Sequence, residues 1–256
     1  MVVGGQSSVV GKRIRAMPTY PERYKNGEYE QVWAELVALG GQVRHEPLYS
    51  DALAVAHETM RRAKYNVEIL YGRLKSHDYK CAFPEQAFTP PEPDIAAQIE
   101  KFEELAGLLP LSVRVWYEVV GAINFMGVHP KLASYDKYQP YYGSDPLVVD
   151  PLNDEAFLQY KDWKENCEAN KLEVTGPFIF AMAPDYYHKE AVSGGAPYGI
   201  NLPNVAIDAT FEDEWHNTTF VNYLRINFRW GGFPGFERGN YRPDELQFLT
   251  EGLLPL

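Results

Sequence analysis

Carboxylates and imidazoles in one late stretch are the residues of this chain best suited to chemistry. Asp185, His188, Asp208, Glu212 and His216 are oxygen and nitrogen donors of the kind a divalent metal takes. On a helix, Asp208, Glu212 and His216 would share one face at i, i+4 spacing. The flanking Val205-Ala206-Ile207 and Ala209-Thr210-Phe211 favour a strand instead, which breaks that face. A metal-dependent hydrolase built on Asp185, His188, Asp208 and His216 is therefore the enzymatic alternative. The structural reading is an acidic turn in which Asp213 and Glu214 complement the dipole of a following helix. Carboxylates beside aromatics, such as Glu237 or Asp145 near Tyr141 and Tyr142, have the residue types of a glycosidase. Sequence does not set two such carboxylates across one bond.

Other catalytic signatures are missing from the chain. There is no G-x-x-x-x-G-K-[ST] loop, no G-x-G-x-x-G after a strand and no G-x-S-x-G elbow. His57-Glu58 opens like a zinc motif, but Arg61 stands where the second histidine is needed. The segment 194–199 (Gly-Gly-Ala-Pro-Tyr-Gly) has neither a following helix nor a basic residue, so it reads as a turn into a strand and not as a phosphate loop. Cys81 and Cys167 are too few for a disulfide framework and read as free thiols. No cofactor is expected.

The elements that must position these residues follow from apolar spacing. Residues 1–20 carry no period and read as a flexible arm. Residues 28–39 predict a short helix closed by Gly40-Gly41. Leu53, Ala56, Met60, Ala63, Val67, Leu70 and Leu74 fall at alternating steps of three and four, a heptad seam that predicts a long helix lying along another helix. The preceding helix is the expected partner, and a homodimer through residues 53–74 is the other use of the seam. Prolines 84, 90, 91 and 93 mark a linker after a helical extension of residues 21–83. Helices are expected from Asp94 to Gly107 and from Pro110 to Gly121, then strands at 122–126 and 146–149, a helix at 154–168 and a strand at 178–182. A strand pair, 198–200 with 205–211, is expected next. A helix from Phe220 capped by Asn217 or Thr218, a turn at 230–236 and a short helix within 244–254 complete the chain. Helices first, then strands mixed with helices, predict an α+β fold: an N-terminal helical hairpin and a mainly antiparallel sheet packed with helices, the latter within residues 94–256.

Charge narrows the partners. The net charge is −11, and it divides unevenly, +3 over residues 1–80 and −14 over residues 81–256. Such a balance disfavours nucleic acid and favours a basic protein. No apolar run approaches the roughly 20 residues needed to cross a bilayer, and Met1 to Pro18 does not read as a secretory signal, so a cytoplasmic protein is expected.

The stretch from Ile99 to Gly121, with Glu103, Gly107, Leu109, Pro110, Tyr117 and Gly121 in fixed order, resembles the opening of the SUKH superfamily. The pattern is an acidic helix, a Gly, Leu-Pro, then a helix ending at a Gly before a strand. Asp145-Pro146-Leu147, the Gly-rich turn before Tyr198, Asp208 and the Phe220–Leu224 helix extend the resemblance over roughly residues 93–232. Val120 departs from the Asn usual before the closing Gly. The superfamily includes bacterial toxin-immunity proteins and a yeast cell-wall-synthesis regulator. The resemblance implies a non-enzymatic protein-binding module, with a basic toxin or nuclease as the kind of partner. Its expected binding residues are the aromatics taken as exposed, Trp116, Tyr117, Tyr141, Tyr142, Trp230 and Phe233, together with Asp145.

Overall fold

The heptad residues build the longest helix of the molecule. The computed structural model describes residues 18–135, 143–169, 176–192 and 194–256. Three helices open it: α1 (Tyr20–Lys25), α2 (Tyr29–Ala38) and α3 (Leu48–Ser76). In α3, Ala56, Met60, Ala63, Val67, Leu70 and Leu74 are fully buried, and Leu53 is half-buried. The main helix against this seam is not α2. It is α5 (Leu111–Val119), which follows α4 (Ile95–Ala106), with α1 and α8 (Glu245–Thr250) also against α3. The physical reason lies in α5. Leu111, Ser112, Val113, Val115, Trp116 and Tyr117 are all buried, so α5 needs cover on most of its surface. The alanines of the α3 seam allow a close helix approach. The buried seam is covered from within the chain, so those seam residues are not open to a second copy.

The strands are short and antiparallel. β1 (Lys80–Cys81), β4 (Gly127–His129) and β5 (Ala133–Ser134) form one sheet in the order β1-β4-β5. β2 (Phe88–Thr89), β3 (Ala122–Asn124) and β6 (Val148–Val149) form a second, in the order β2-β3-β6. β7 (Phe178–Ala183) pairs with β8 (Tyr198–Leu202), Phe180 opposite Ile200. The Asp150 amide donates to the Met182 carbonyl at 2.7 Å and ties β6 to β7. Two further helices, α6 (Asp154–Ala169) and α7 (Phe220–Arg229), pack on this frame. The architecture is α+β. The two cysteines are free.

Residues 205–211 form no strand; β8 pairs with β7 and meets the end of this segment only at a single antiparallel bridge, Gly199 with Glu212. The segment's backbone is used elsewhere. The Leu111 and Ser112 amides donate to the Ala206 and Ile207 carbonyls at 3.2 and 2.8 Å, satisfying first-turn donors that α5 cannot satisfy itself. The proline stretch 84–93 is also built in. It holds a 3-10 turn (Pro84–Gln86) and β2, and the Ala87 carbonyl accepts the Asn124 amide at 3.2 Å. One hydrophobic core reaches from Tyr24 to Leu256, and the helices of residues 20–76 are part of it.

Gly121 fixes how that proline stretch meets α5. Its φ is +94°, and a β-carbon there would run into the Thr89 carbonyl and the backbone of Pro90 and Pro91. This closes α5 and brings the prolines against its C-terminal end.

Candidate functional site

A groove of about 820 Å³ lies where that proline stretch, α4, the end of α5, β3 and the start of α6 converge. Its walls include Pro90, Pro91, Ile95, Val149, Leu152 and Phe157. Volume and lining fit a ligand cleft. Glu92, Asp154 and Glu155 line it as exposed carboxylates, and Lys101 is the lysine among the lining residues. The Lys101 ammonium stands over the Phe157 ring, 5.1 Å from its centroid.

Two polar groups of the lining have no hydrogen-bond partner among the described residues, the enclosed Tyr117 hydroxyl and the half-exposed Asp150 carboxylate. Tyr117 is 1% exposed, and its hydroxyl makes no hydrogen bond among the described residues. A buried hydroxyl left so costs about 1–3 kcal/mol. Asp150 follows directly on β6, and no hydrogen bond to its carboxylate is formed among the described residues. Burial pushes that carboxyl up to about 6, and the charge of Lys189 pulls partly against the rise. Burial drives the Tyr117 hydroxyl well up, and the Asp150 charge adds to the effect. A carboxyl titrating near neutrality in a cleft marks a functional candidate.

The expected binding residues lie elsewhere. Trp116 and Phe233 are fully buried, and Trp230 is 7% exposed with the Arg242 guanidinium 4.4 Å from its ring centroid. Trp116 packs edge-on against Phe220, and Phe233 lies against Tyr79. Trp116, Trp230 and Phe233 are core residues, because the helix and turn that carry them are enclosed by α3 and its neighbours. Tyr117 is buried too, yet it lines the groove. Tyr141 and Tyr142 lie outside the described residues.

Asp145 is also internal. Its carboxylate is 1% exposed and takes the Lys189 ammonium at 2.7 Å, the Trp215 indole N–H at 3.2 Å and the Tyr198 hydroxyl at 3.4 Å. Burial opposes the charge on Lys189, but the Asp145 carboxylate and the Tyr223 hydroxyl together more than offset this and hold the ammonium above its usual value. Next to it, the Glu190 carboxylate accepts from the Ser144 and Ser134 hydroxyls at 2.8 and 3.1 Å. This constellation fastens residues 144–145 to 189–190. Its polar atoms are spent on one another.

The acid and imidazole set does not converge. Asp185 pairs with His188 and accepts the Tyr187 amide at 2.8 Å, which shapes the turn at 187–190. His216 pairs with Glu214 and, at 3.2 Å, with Glu237. Glu212 accepts the Asn201 side-chain amide at 2.6 Å. Asp208 is 4% exposed and accepts from the Ser112 hydroxyl at 2.8 Å, the Trp33 indole at 3.1 Å and the Val221 amide at 3.2 Å. Val221 is in the first turn of α7, so Asp208 does the capping work expected of Asn217 or Thr218. No group of three or more His, Cys, Asp or Glu side chains gathers as a metal site among the described residues.

Sequence reasoning missed Asp150. The available signal was a single carboxylate between two apolar pairs, Val148-Val149 before it and Pro151-Leu152 after it. Among the described residues no helix is long and apolar enough to cross a membrane. Comparison of the chain with protein-family models, with curated proteins and with solved structures gave no match.

Proposed function

We propose that this chain is a non-enzymatic binding protein and that the groove between the proline stretch and α6 is its recognition site. The partner is a protein presenting a basic segment. The carrying observation is a cleft whose lining holds four carboxylates, the half-exposed Asp150 among them, and one lysine. A cationic segment would supply the missing donors and be drawn by the rim charges. The acidic balance of residues 81–256 and the resemblance to the SUKH superfamily support the same reading. They also keep a basic toxin or nuclease as the kind of partner and the cytoplasm as the place.

A second reading has a specific observation behind it. A carboxyl with a pKa of about 6 is suited to carrying a proton in catalysis. A turnover screen with Asp150→Asn as the control separates the two, since a binding protein shows no turnover to lose.

The test is a defined probe. A ten-residue Lys/Leu peptide and its Glu/Leu counterpart are titrated into the full chain by calorimetry, and the site is mapped by NMR. The basic peptide is expected to perturb Glu92, Ile95, Asp154 and Glu155. Reversal of Glu92, Asp154 and Glu155 to Lys is expected to weaken it at least tenfold. Equal binding of both peptides, or an affinity indifferent to the reversal, overturns the reading.

A further inference from the structure

We infer that the cleft between α3 and α7 is a second recognition site, a receptor for a short extended peptide with a leucine anchor and a carboxylate beside it, and that residues 253–256 of the chain itself fill it. The site shares no lining residue with the groove and does not depend on the groove's role.

The occupant is Leu253-Leu254-Pro255-Leu256. It follows α8 through a turn at Glu251 and Gly252. Gly252 has a φ of +67°, and a β-carbon there would meet nothing within 4 Å, so the turn is free of neighbours. Pro255 has no N–H to give to a helix or a ladder. The Leu253 amide donates to the Thr250 carbonyl at 3.3 Å, and beyond it no backbone-to-backbone hydrogen bond holds the segment among the described residues.

Side chains hold its main chain instead. The Asn66 side-chain amide donates to the Leu254 carbonyl at 2.9 Å, and its oxygen accepts the Leu254 amide at 2.7 Å. The Arg62 guanidinium donates to the Pro255 carbonyl at 3.1 Å, and the Arg225 guanidinium to the Leu256 main-chain oxygen at 3.0 Å. Three residues in a row are thus read through their backbone. Leu256 is the side chain of the segment that is buried, at 4% exposure, while Leu253 and Leu254 are half-buried and Pro255 is exposed. Backbone bonds that tolerate many sequences, with one pocket that selects a side chain, are how extended peptides are recognised.

Two observations point to a ligand other than the segment. Asn66 is fully buried and offers a donor and an acceptor to one residue, a pattern that matches a peptide unit and not a fatty chain or an ion. The segment also underfills the cleft. A cavity of about 330 Å³ remains beside it, lined by Glu30, Arg225, Phe228 and Arg229 with the segment itself. Arg225 gives its hydrogen bonds to main-chain oxygens, those of Leu256 and Tyr29. Two arginines against one glutamate in that lining favour a peptide that brings a carboxylate next to its leucine. A peptide entering must first displace the segment, so its apparent affinity is reduced by the fraction of molecules in which the segment is seated.

The experiment uses the full chain and fluorescent acetyl-Gly-Leu-Leu-Pro-Leu with a free carboxylate, followed by anisotropy. Leu256→Lys, which sets a cation against Arg225, releases the segment, and Leu256→Ala loosens it more gently. Thermal melting establishes which variants fold. The peptide is expected to bind Leu256→Lys at least tenfold more tightly than wild type, with Leu256→Ala in between. Adding Asn66→Ala or Arg62→Gln to the released variant is expected to lose about tenfold and several-fold. In wild type, NMR is expected to show saturating peptide moving the Leu254 and Leu256 signals to those of the released variant. The same peptide ending in Ser, its amide-capped form and decanoate are expected to bind at least several-fold more weakly. Equal affinity for wild type and the folded released variants, or equal binding of the amide or decanoate, overturns the inference. Failure of every Leu256 variant to fold, with wild type untouched by the peptide, makes the segment a fixed part of the core and overturns it too. A wild-type dimer that Leu256→Lys dissociates puts a second copy in the cleft and removes the filling in cis. None of these results bears on Glu92, Asp154 or Glu155, so the groove reading stands or falls by its own titration.

Discussion

Asp208 is buried and Asp150 half-buried, and the fold meets them differently. Burial pushes each carboxyl up. Around Asp208, Thr219, Ser112, Trp33 and Val221 pull it back down by donating to it. Around Asp150, no donor does so, and only the charge of Lys189 opposes the rise. The Asp208 region is a finished piece of structure: it caps α7 and fastens α2 to α5. The Asp150 region is unfinished and faces a cleft. Burial and a shifted pKa are common to both regions and do not distinguish them. The count of unmet partners does.

The difference can be broken or sharpened by substitution. The largest effect is expected next to both regions, at the Lys189–Asp145 pair. Lys189→Met leaves a carboxylate buried without its counter-ion and should lower stability by about 4 kcal/mol in urea unfolding. The double change Lys189→Met with Asp145→Leu should recover most of that, and a loss equal to the sum of the single ones would show that the pair does not act as a unit. Asp208→Ala strands the donors of Trp33, Ser112 and Val221, and a loss of about 3 kcal/mol is expected by the same measurement. A change under about 0.5 kcal/mol would place Asp208 among ordinary surface sites. Gly121→Ala forces a β-carbon against the Thr89 carbonyl at positive φ, and should cost about 2 kcal/mol while shifting NMR signals along the groove.

Asp150→Asn should act in the opposite direction and more weakly. A carboxyl raised in the folded state binds more protons there than when unfolded. Its contribution to stability therefore falls as pH climbs from about 4, its unfolded value, to about 6, and stays lost above. The variant should be more stable than wild type at pH 7.5 by about 1 kcal/mol, the full linkage being discounted for partial exposure. The gain should vanish near pH 4, and a gain that persists there would mean that ionisation is not its cause. Tyr117→Phe removes a hydroxyl that bonds nothing among the described residues and should change stability by less than about 1 kcal/mol. A larger loss would reveal a partner for it and weaken the case for the groove.

Much of the helical framework was legible in the sequence. The heptad spacing marks α3, the i+4 apolar steps mark α4 and α5, and Gly107 and Gly121 mark where those two stop. Such signals are local, because one helix face repeats every 3.6 residues whatever lies against it. The position of α6 came through for the same reason, and that of β7 as a short apolar run. The segment 205–211 did not, since its alternating apolar pattern suits a strand while its carbonyls are taken by the first amides of α5.

Periodicity shows that a face is covered and is silent about what covers it. That α3 lies on α5 and not on α2, that Trp116 and Phe233 face inward, and that Asp208 caps a helix twelve residues downstream depend on contacts between distant parts of the chain. The groove depends on them most. Its parts come from residues 86–101, 117–124, 149–159 and 181, and the ionisation of Asp150 is set by how far those parts together withdraw it from water. A chain can write its periods residue by residue, but solvation is a property of the assembled surroundings, so only the folded arrangement decided that Asp208 is held by donors while Asp150 faces a cleft.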